Sequence, residues 1–367
     1  MSIITPPPYP IRPIKMPDDQ YLHPGAPAEW WWHTGTLKGK SASGERTFGF
    51  EINAVSWMGG KLFSQVMLTD VTNQMHYMQN AVYTFNPQWA ESDPTKPWFV
   101  RLPKTLLSPA TVTMSGSQTA TQLQMNVQAT LVSETEGTKG KVVTFNLALS
   151  QDISKRQPML IWGTGIMPSA PGSLLTNNFY YSLTQLTASG SITMPSLSHP
   201  NQMEEVTVTG VTWMDHEYGF FGTAANPVKW VLQDIQIQNG TFQGVTISNY
   251  TTLGASQPGL VPNEPSPSQA TVQFPDGTTY FVHTFITPRD PWISPVSKKL
   301  YYMTLQVDLP SFNATIYVRS LMNEQEFVTS IPFLGVVSEV YEGVASASVH
   351  VGNEPEATGF AWNEQTG

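Results

Sequence analysis

Hydrophobic and polar residues alternate over much of the chain. Leu123, Met125, Val127, Ala129 and Leu131 are separated by polar neighbours, as are Val143, Phe145, Leu147 and Leu149. Tyr301, Met303, Leu305, Val307 and Leu309 repeat the pattern later. Successive side chains of a strand point to opposite faces, so each run predicts a strand with one buried face. Asn239-Gly240 follows "VLQDIQIQ", and Asp276-Gly277 lies between "ATVQF" and "TTYFVHTF". Both pairs suit the positive φ angles of a type I′ turn and predict hairpins. No apolar stripe of helical period lasts four turns. The pattern predicts an all-β protein of many short antiparallel strands. No fixed-period repeat occurs, which argues against propellers and solenoids.

Length and punctuation divide this pattern. At 367 residues the chain is long for one core and predicts two domains. Pro-rich zones lie at 6–27 and 255–269, the first read as an extended arm over the surface and the second as a long loop. Residues 191–205 carry few patterned apolar positions. The expected organisation is an arm at 1–27, an N-terminal β domain at 28–195 and a C-terminal β domain at 196–367.

Composition narrows the functions. The chain has 27 acidic and 18 basic residues, a net charge of −9, and no basic run. Nucleic-acid binding, which needs clustered Lys and Arg, is not expected. Only 12% of residues are charged, so each acid in an apolar setting is conspicuous. The absence of cysteine excludes disulfides, thiol nucleophiles and thiolate metal sites. No apolar run of roughly 18 residues predicts a membrane span. The N-terminal "MSIITPPPYPIRPIKMP" lacks the plan of a signal peptide. A cytoplasmic location is the expectation, with a secreted or periplasmic protein whose leader has been removed as the alternative.

Two stretches carry candidate chemistry. In "AEWWWHTG" (28–35), read as a strand, Glu29, Trp31 and His33 share one face and Trp30 and Trp32 the other. One face would bury indoles; the opposite face would present an acid, an indole and an imidazole. In "VTVTGVTWMDHEYGFFG" (206–222), the buried phase shifts after Gly210 from Val206 and Val208 to Val211, Trp213, Asp215 and Glu217. A glycine at such a break suggests a bulge. Asp215-His216-Glu217 is the densest titratable cluster in the chain, set between Trp213 and Tyr218. Desolvation raises the pKa of a buried acid, which can then stay protonated at neutral pH and donate. A structural hydrogen-bond network is the alternative reading. No H-x-H or H-x-x-x-H pairing occurs and no metal is expected. No G-x-S-x-G, G-x-G-x-x-G or P-loop is present, so no nucleophile elbow and no cofactor are expected. Glu29, Asp215 and Glu217 could also serve as a glycosidase pair.

These residues resemble a family. "EWWWHTGTL…GERTFGFEINAVSW" (29–57) looks like the opening signature of the AttH/CrtC-like proteins. "NNFYYSLTQLTASGSI" (177–192), "VTGVTWMDHEYG" (208–219), the block 285–327 and "YEGVASASV" (341–349) follow that family's later motifs in order. The resemblance implies two consecutive lipocalin-like antiparallel β-barrels or sandwiches with a pocket at their junction. Members include carotenoid 1,2-hydratase, kievitone hydratase and decalin-forming pericyclases. It therefore implies a hydratase or cyclase that protonates a C=C bond of an apolar isoprenoid or polyene substrate, without a cofactor. It assigns Asp215 as the acid; in an acid catalyst of this kind His216 or Glu217 is expected to orient it. Trp31, Trp213 and Tyr218 are expected along the path of the cation, with Glu29, His33 and Tyr181 as further substrate contacts. The hydratase pattern has a His and a Trp upstream of the acid, where this chain has Tyr180 and Tyr181. A pericyclase that shapes a polyene, and a non-catalytic carrier of a hydrophobic ligand, are the alternatives.

Overall fold

The alternating runs fold as their period requires. The computed structural model describes residues 14–41, 44–57, 61–106, 108–119, 121–168, 177–199, 201–221, 229–253, 259–331 and 336–366. Among the described residues there is no α-helix. Twelve strands come first: β1 (Ala28–Ser41), β2 (Gly44–Trp57), β3 (Lys61–Asp70), β4 (Met75–Tyr83), β5 (Trp98–Leu102), β6 (Thr111–Gln118), β7 (Gln122–Val132), β8 (Val142–Asp152), β9 (Met159–Leu160), β10 (Ile166–Pro168), β11 (Asn177–Pro195) and β12 (Met203–Gly219). They form one sheet in the order β4-β3-β2-β1-β12-β11-β8-β7-β6-β5, with β9 and β10 paired to β11. The sheet curls on itself. Its β4 edge meets the end of β7, where Glu134 N–H donates to Met78 O at 2.8 Å and Val132 N–H to Gln79 Oε1 at 2.6 Å. The predicted inner residues of β7 and β8 fill the core so enclosed.

The second barrel is closed. Its strands are β13 (Lys229–Ile237), β14 (Thr246–Leu253), β15 (Ser266–Gln273), β16 (Thr279–Ile293), β17 (Leu300–Leu309), β18 (Ala314–Ser320), β19 (Glu326–Ile331), β20 (Val336–Val351) and β21 (Ala357–Thr366). They run in the order β18-β17-β16-β15-β14-β13-β21-β20-β19, and β18 also pairs with β20. All but β19 therefore close into a ring of eight strands, which leaves no free edge in the ring. One edge of β20 serves two partners, β19 along 336–341 and β18 along 345–351. The result is two consecutive lipocalin-like barrels, as expected.

Alternation fails where the barrels meet. In β12, Val206 and Val208 are buried while Thr207 and Thr209 are exposed, but every residue from Thr212 to Gly219 is buried. The second barrel covers the outer face there. The phase break at Gly210 is therefore a change of surroundings and not a bulge: β12 pairs with β1 residue for residue across it. The irregularity sits in β11, between Leu183 and Leu186, opposite Met214 and Thr212. Gly210 answers a different need, since a Cβ there would lie 2.5 Å from the Thr36 carbonyl oxygen.

Three other expectations change. The division at 195/196 falls at the hairpin between β11 and β12, and both strands belong to the first sheet; the change of sheet comes between Gly219 and Lys229. Within 191–205 the two strands are joined where Ser196 N–H donates to Gln202 O at 2.9 Å. The hairpins at Asn239-Gly240 and Asp276-Gly277 exist, but neither turn is type I′, because neither Asn239 nor Asp276 has positive φ. Gly277, at φ 87°, closes the turn Phe274–Gly277 through its N–H to Phe274 O at 3.0 Å. The arm does not lie on the surface where it is described: it makes a 3-10 turn at Asp18–Gln20 and buries Asp19, Gln20, Tyr21 and His23. Residues 6–13 of the first Pro-rich zone, and 255–258 of the second, lie outside the described residues.

The barrels pack closely enough to exclude a methyl group. A Cβ on Gly49 of β2 would lie 2.3 Å from Val344 Cβ on β20. Val344 is fully buried beside Met67, Phe327 and Trp362. Gly49→Ala is expected to cost about 1–3 kcal/mol through overpacking and to lower Tm by several degrees in thermal denaturation. Gly259→Ala, with nothing near its Cβ, is expected to leave Tm in place. Equal Tm values would mean that the barrels do not seat at Gly49.

Candidate active site

Strand β12 runs between β1 and β11, so its two faces look into different compartments. Met214, His216 and Tyr218 point into the first barrel. Trp213, Asp215 and Glu217 point toward the second. The expected triplet is thereby divided by the sheet, and His216 cannot orient Asp215 directly. Strand β1 is divided likewise: Trp31 is in the inner core, while Trp30 packs with Trp57, Trp213 and Trp230 between the barrels.

The face between the barrels gathers acids. Asp215 Oδ1 accepts from Ser182 Oγ at 2.5 Å and from Trp213 Nε1 at 2.8 Å. Ser182 stands directly opposite it on β11. Burial raises the Asp215 pKa to about 6, against the bonds from Ser182, Trp213, Tyr180 and Asp234 that hold it down. Asp234 of β13 faces it. Burial and the Asp215 charge push Asp234 well above the usual carboxylate range, and its hydrogen bond to Asp215 pushes the same way. Two carboxyls in bonding contact cannot both ionise cheaply, so charge on one favours the neutral form of the other. Glu217 accepts from Asn178 Nδ2 and is also raised, first by burial and then by Asp215 and Glu364.

Three further carboxyls extend the group. Glu364 accepts from Trp230 Nε1, and burial lifts it to about 7. Glu342 accepts from Trp362 Nε1 at 2.7 Å, and Glu51 from Asn53 Nδ2 at 2.8 Å. Burial first, and then Glu364, raises both. Each barrel thus supplies three acids: Glu51, Asp215 and Glu217 from the first, Asp234, Glu342 and Glu364 from the second. Burial pushes all six toward the neutral form. Rings border them: Tyr180, Trp213, Phe221, Trp230 and Tyr250 form one cluster.

A small void of about 10 Å³ lies beside Asp234, lined by Thr34, Thr36, Trp213, Gln236 and Trp362 among others. That is room for about one water. Thr34 Oγ1, Thr36 Oγ1 and Asp234 Oδ1 have no protein partner, which gives a water the two to four partners it needs. An open groove of about 640 Å³ lies far along the same strands, lined by Lys38, Lys40, Arg46, Thr207 and Thr209. Its polar lining does not suit an apolar ligand, and Arg46 is taken by Asp70 and Glu204.

The remaining expected residues lie on the inner face. His216 Nε2 is 3.0 Å from Glu29 Oε1, and its Nδ1 is 3.1 Å from Tyr181 Oη. Trp31 stacks on His216 with ring centroids 4.5 Å apart. Tyr218 stacks on His23 at 3.6 Å. Glu29, Trp31, Tyr181 and Tyr218 therefore form a second, enclosed cluster and do not line a path at Asp215. His33 is fully buried with both ring nitrogens unpartnered, and burial lowers its pKa to about 3. It is a neutral core residue on that same inner side. Sequence reasoning missed Asp234, Glu342, Glu364, Glu51 and His23. For the four acids the signal was an acid inside an apolar strand of a charge-poor chain, as in "VLQDIQI" and "VYEGVAS".

Two consecutive barrels, with buried acids and indoles between them, place the chain among lipocalin-like tandem proteins. The AttH-like family profile matches residues 7–361. The chain belongs to the AttH-like family. No curated protein matches the sequence. Among solved structures, a protein designated AttH from Nitrosomonas europaea is 18% identical, with a TM-score of 0.64 over 97% of this chain and 98% of that one. Kievitone hydratase from Nectria haematococca is 13% identical, with a TM-score of 0.61 over 97% and 94%. CghA with Sch210972 is 10% identical, with a TM-score of 0.51 over 99% and 94%. At these identities the likeness is one of fold. Among the described residues no helix is long and apolar enough to cross a membrane.

Proposed function

We propose that the protein is a cofactor-independent acid catalyst that adds water to a C=C bond of an apolar polyene or isoprenoid small molecule. The Asp215–Asp234 pair supplies the proton. The observation that carries this reading is the facing carboxyl pair Asp215 and Asp234, buried among indoles and phenols, beside a water-sized void. The hydratase among the solved relatives gives the reading its direction. The chain's own residues give it its mechanism.

The pair's proton goes to one alkene carbon, and the other carbon becomes a cation. Ring faces stabilise that cation best where water is scarce. Water held by Thr34, Thr36 and Asp234 donates its oxygen to the cation. The surplus proton returns to the carboxylate, and the pair is restored. Ser182 and Trp213 hold Asp215 in place by donating to the oxygen that does not carry the proton. Cyclisation would follow if a second C=C captured the cation before water did.

Turnover of acyclic isoprenoid and polyketide polyenes in D2O tests this. One deuterium on carbon and one solvent oxygen are expected in the product. A rearranged product free of solvent deuterium would point to a pericyclic catalyst that acts by shape alone. Unaltered polyene, recovered bound, would mark a carrier.

A further inference from the structure

The inner face of the first barrel holds a second constellation that the reaction above does not use. His23 comes from the strap before β1, Glu29 from β1 and His216 from β12. One ligand atom from each lies within 4.8 Å of the other two. We propose that His23 Nδ1, Glu29 Oε1 and His216 Nε2 bind one divalent transition-metal ion of the zinc type, which pins the strap to the barrel.

Two features support this. The first is spacing. Bonds of about 2.0–2.2 Å to nitrogen and carboxylate oxygen at tetrahedral angles place adjacent donors about 3.3–3.6 Å apart, so the contacts found here need open by only a few tenths of an ångström to admit the ion. Glu29 Oε1 is 2.9 Å from His23 Nδ1 and 3.0 Å from His216 Nε2. The second is the outer shell. Metal-binding histidines hold their other ring nitrogen with an acceptor. His23 Nε2 is 3.1 Å from Asp19 Oδ1, His216 Nδ1 is 3.1 Å from Tyr181 Oη, and Glu29 Oε2 accepts the His23 N–H at 2.9 Å.

The sequence hid this site because its donors are 187 residues apart. All three are buried, with Trp31 and Tyr218 over the imidazoles, so the role is structural. The proposal is independent of the reaction at the junction.

Full-length protein stripped with a chelator and dialysed would be titrated with ZnCl2. One zinc per chain and a higher Tm are expected. His23→Gln and Glu29→Gln are expected to weaken zinc at least about 10²-fold. Asp19→Asn, which touches only the outer shell, is expected to weaken it about 10–100-fold. No stoichiometric zinc, or equal affinity in all variants, would overturn the proposal. If the variants do not fold, zinc-edge X-ray absorption of the unmutated protein decides. Two imidazoles in the first shell support the site, and a shell without imidazole overturns it.

Discussion

Asp215→Asn is expected to lower kcat/KM by at least about 10², and Asp234→Asn by a similar factor. Either change leaves the pair unable to pass one proton out and take one back. The double variant should be little worse than either single one, because residues acting as a unit are not additive. Folding is expected to survive, since an amide keeps the carboxyl's shape and removes a buried titratable group rather than creating an unpaired charge. The pH profile separates chemistry from damage. A general acid must be protonated, so kcat/KM falls as pH rises through the pair's apparent pKa. That limb should lie well above the ordinary carboxylate value near 4. Ser182→Ala removes a donor that lowers the Asp215 pKa, so it should move the limb to higher pH with a smaller loss of rate. Full activity in both Asn variants would sink the acid mechanism.

How far this was legible from sequence depends on the face of the strand. Where one face is wet, period-two alternation announced the element and its buried residues, as in β7 and β8. Where the second barrel covers the outer face, the alternation vanishes, as in the second half of β12. In sequence that loss is indistinguishable from a shift of phase at Gly210, and it hides the junction. Asp215 and Glu217 could still be found because they cluster locally. Asp234, Glu342 and Glu364 could not be joined to them, since only the docking of two closed sheets brings these strands together. The grouping of Glu29, Trp31 and His33 on one face was right by parity. Parity does not say which compartment a face looks into, and theirs is the inside of the first barrel. The boundary at 195/196 failed for a related reason: a hairpin turn and a domain linker are both polar, and only pairing distinguishes them.

Stability is expected to be highest on the acid side of neutrality, and to fall as pH rises toward 8. The sign follows from proton counts. Stability falls with pH wherever the native state binds more protons than the unfolded chain. Asp215, with an ordinary value of 3.8, is raised to about 6, and Glu364 rises from 4.5 to about 7. Asp234, Glu217, Glu51 and Glu342 are raised too. Above pH ~4.5 the unfolded chain has released protons that these groups still hold. For Asp215 alone the stability lost by pH 8 is about 3 kcal/mol, and Tm at pH 8 should fall roughly 10 °C below that at pH 5 when several groups contribute. The opposing limb comes from histidine. His33 and His76, lowered by burial to about 3 and about 4, stay neutral while the unfolded chain takes up protons below pH 6.5. Their contribution is lost as pH falls from 6.5 toward those values. Six acids against these two histidines and His216, also lowered by burial, set the balance, so the acid limb appears only at lower pH. Asp234→Asn removes one proton-holding group and relieves Asp215, and should flatten the alkaline slope. A Tm that is level or rising between pH 5 and 8 would mean that the carboxyls between the barrels are ionised and hydrated, and that no neutral acid is stored there for catalysis.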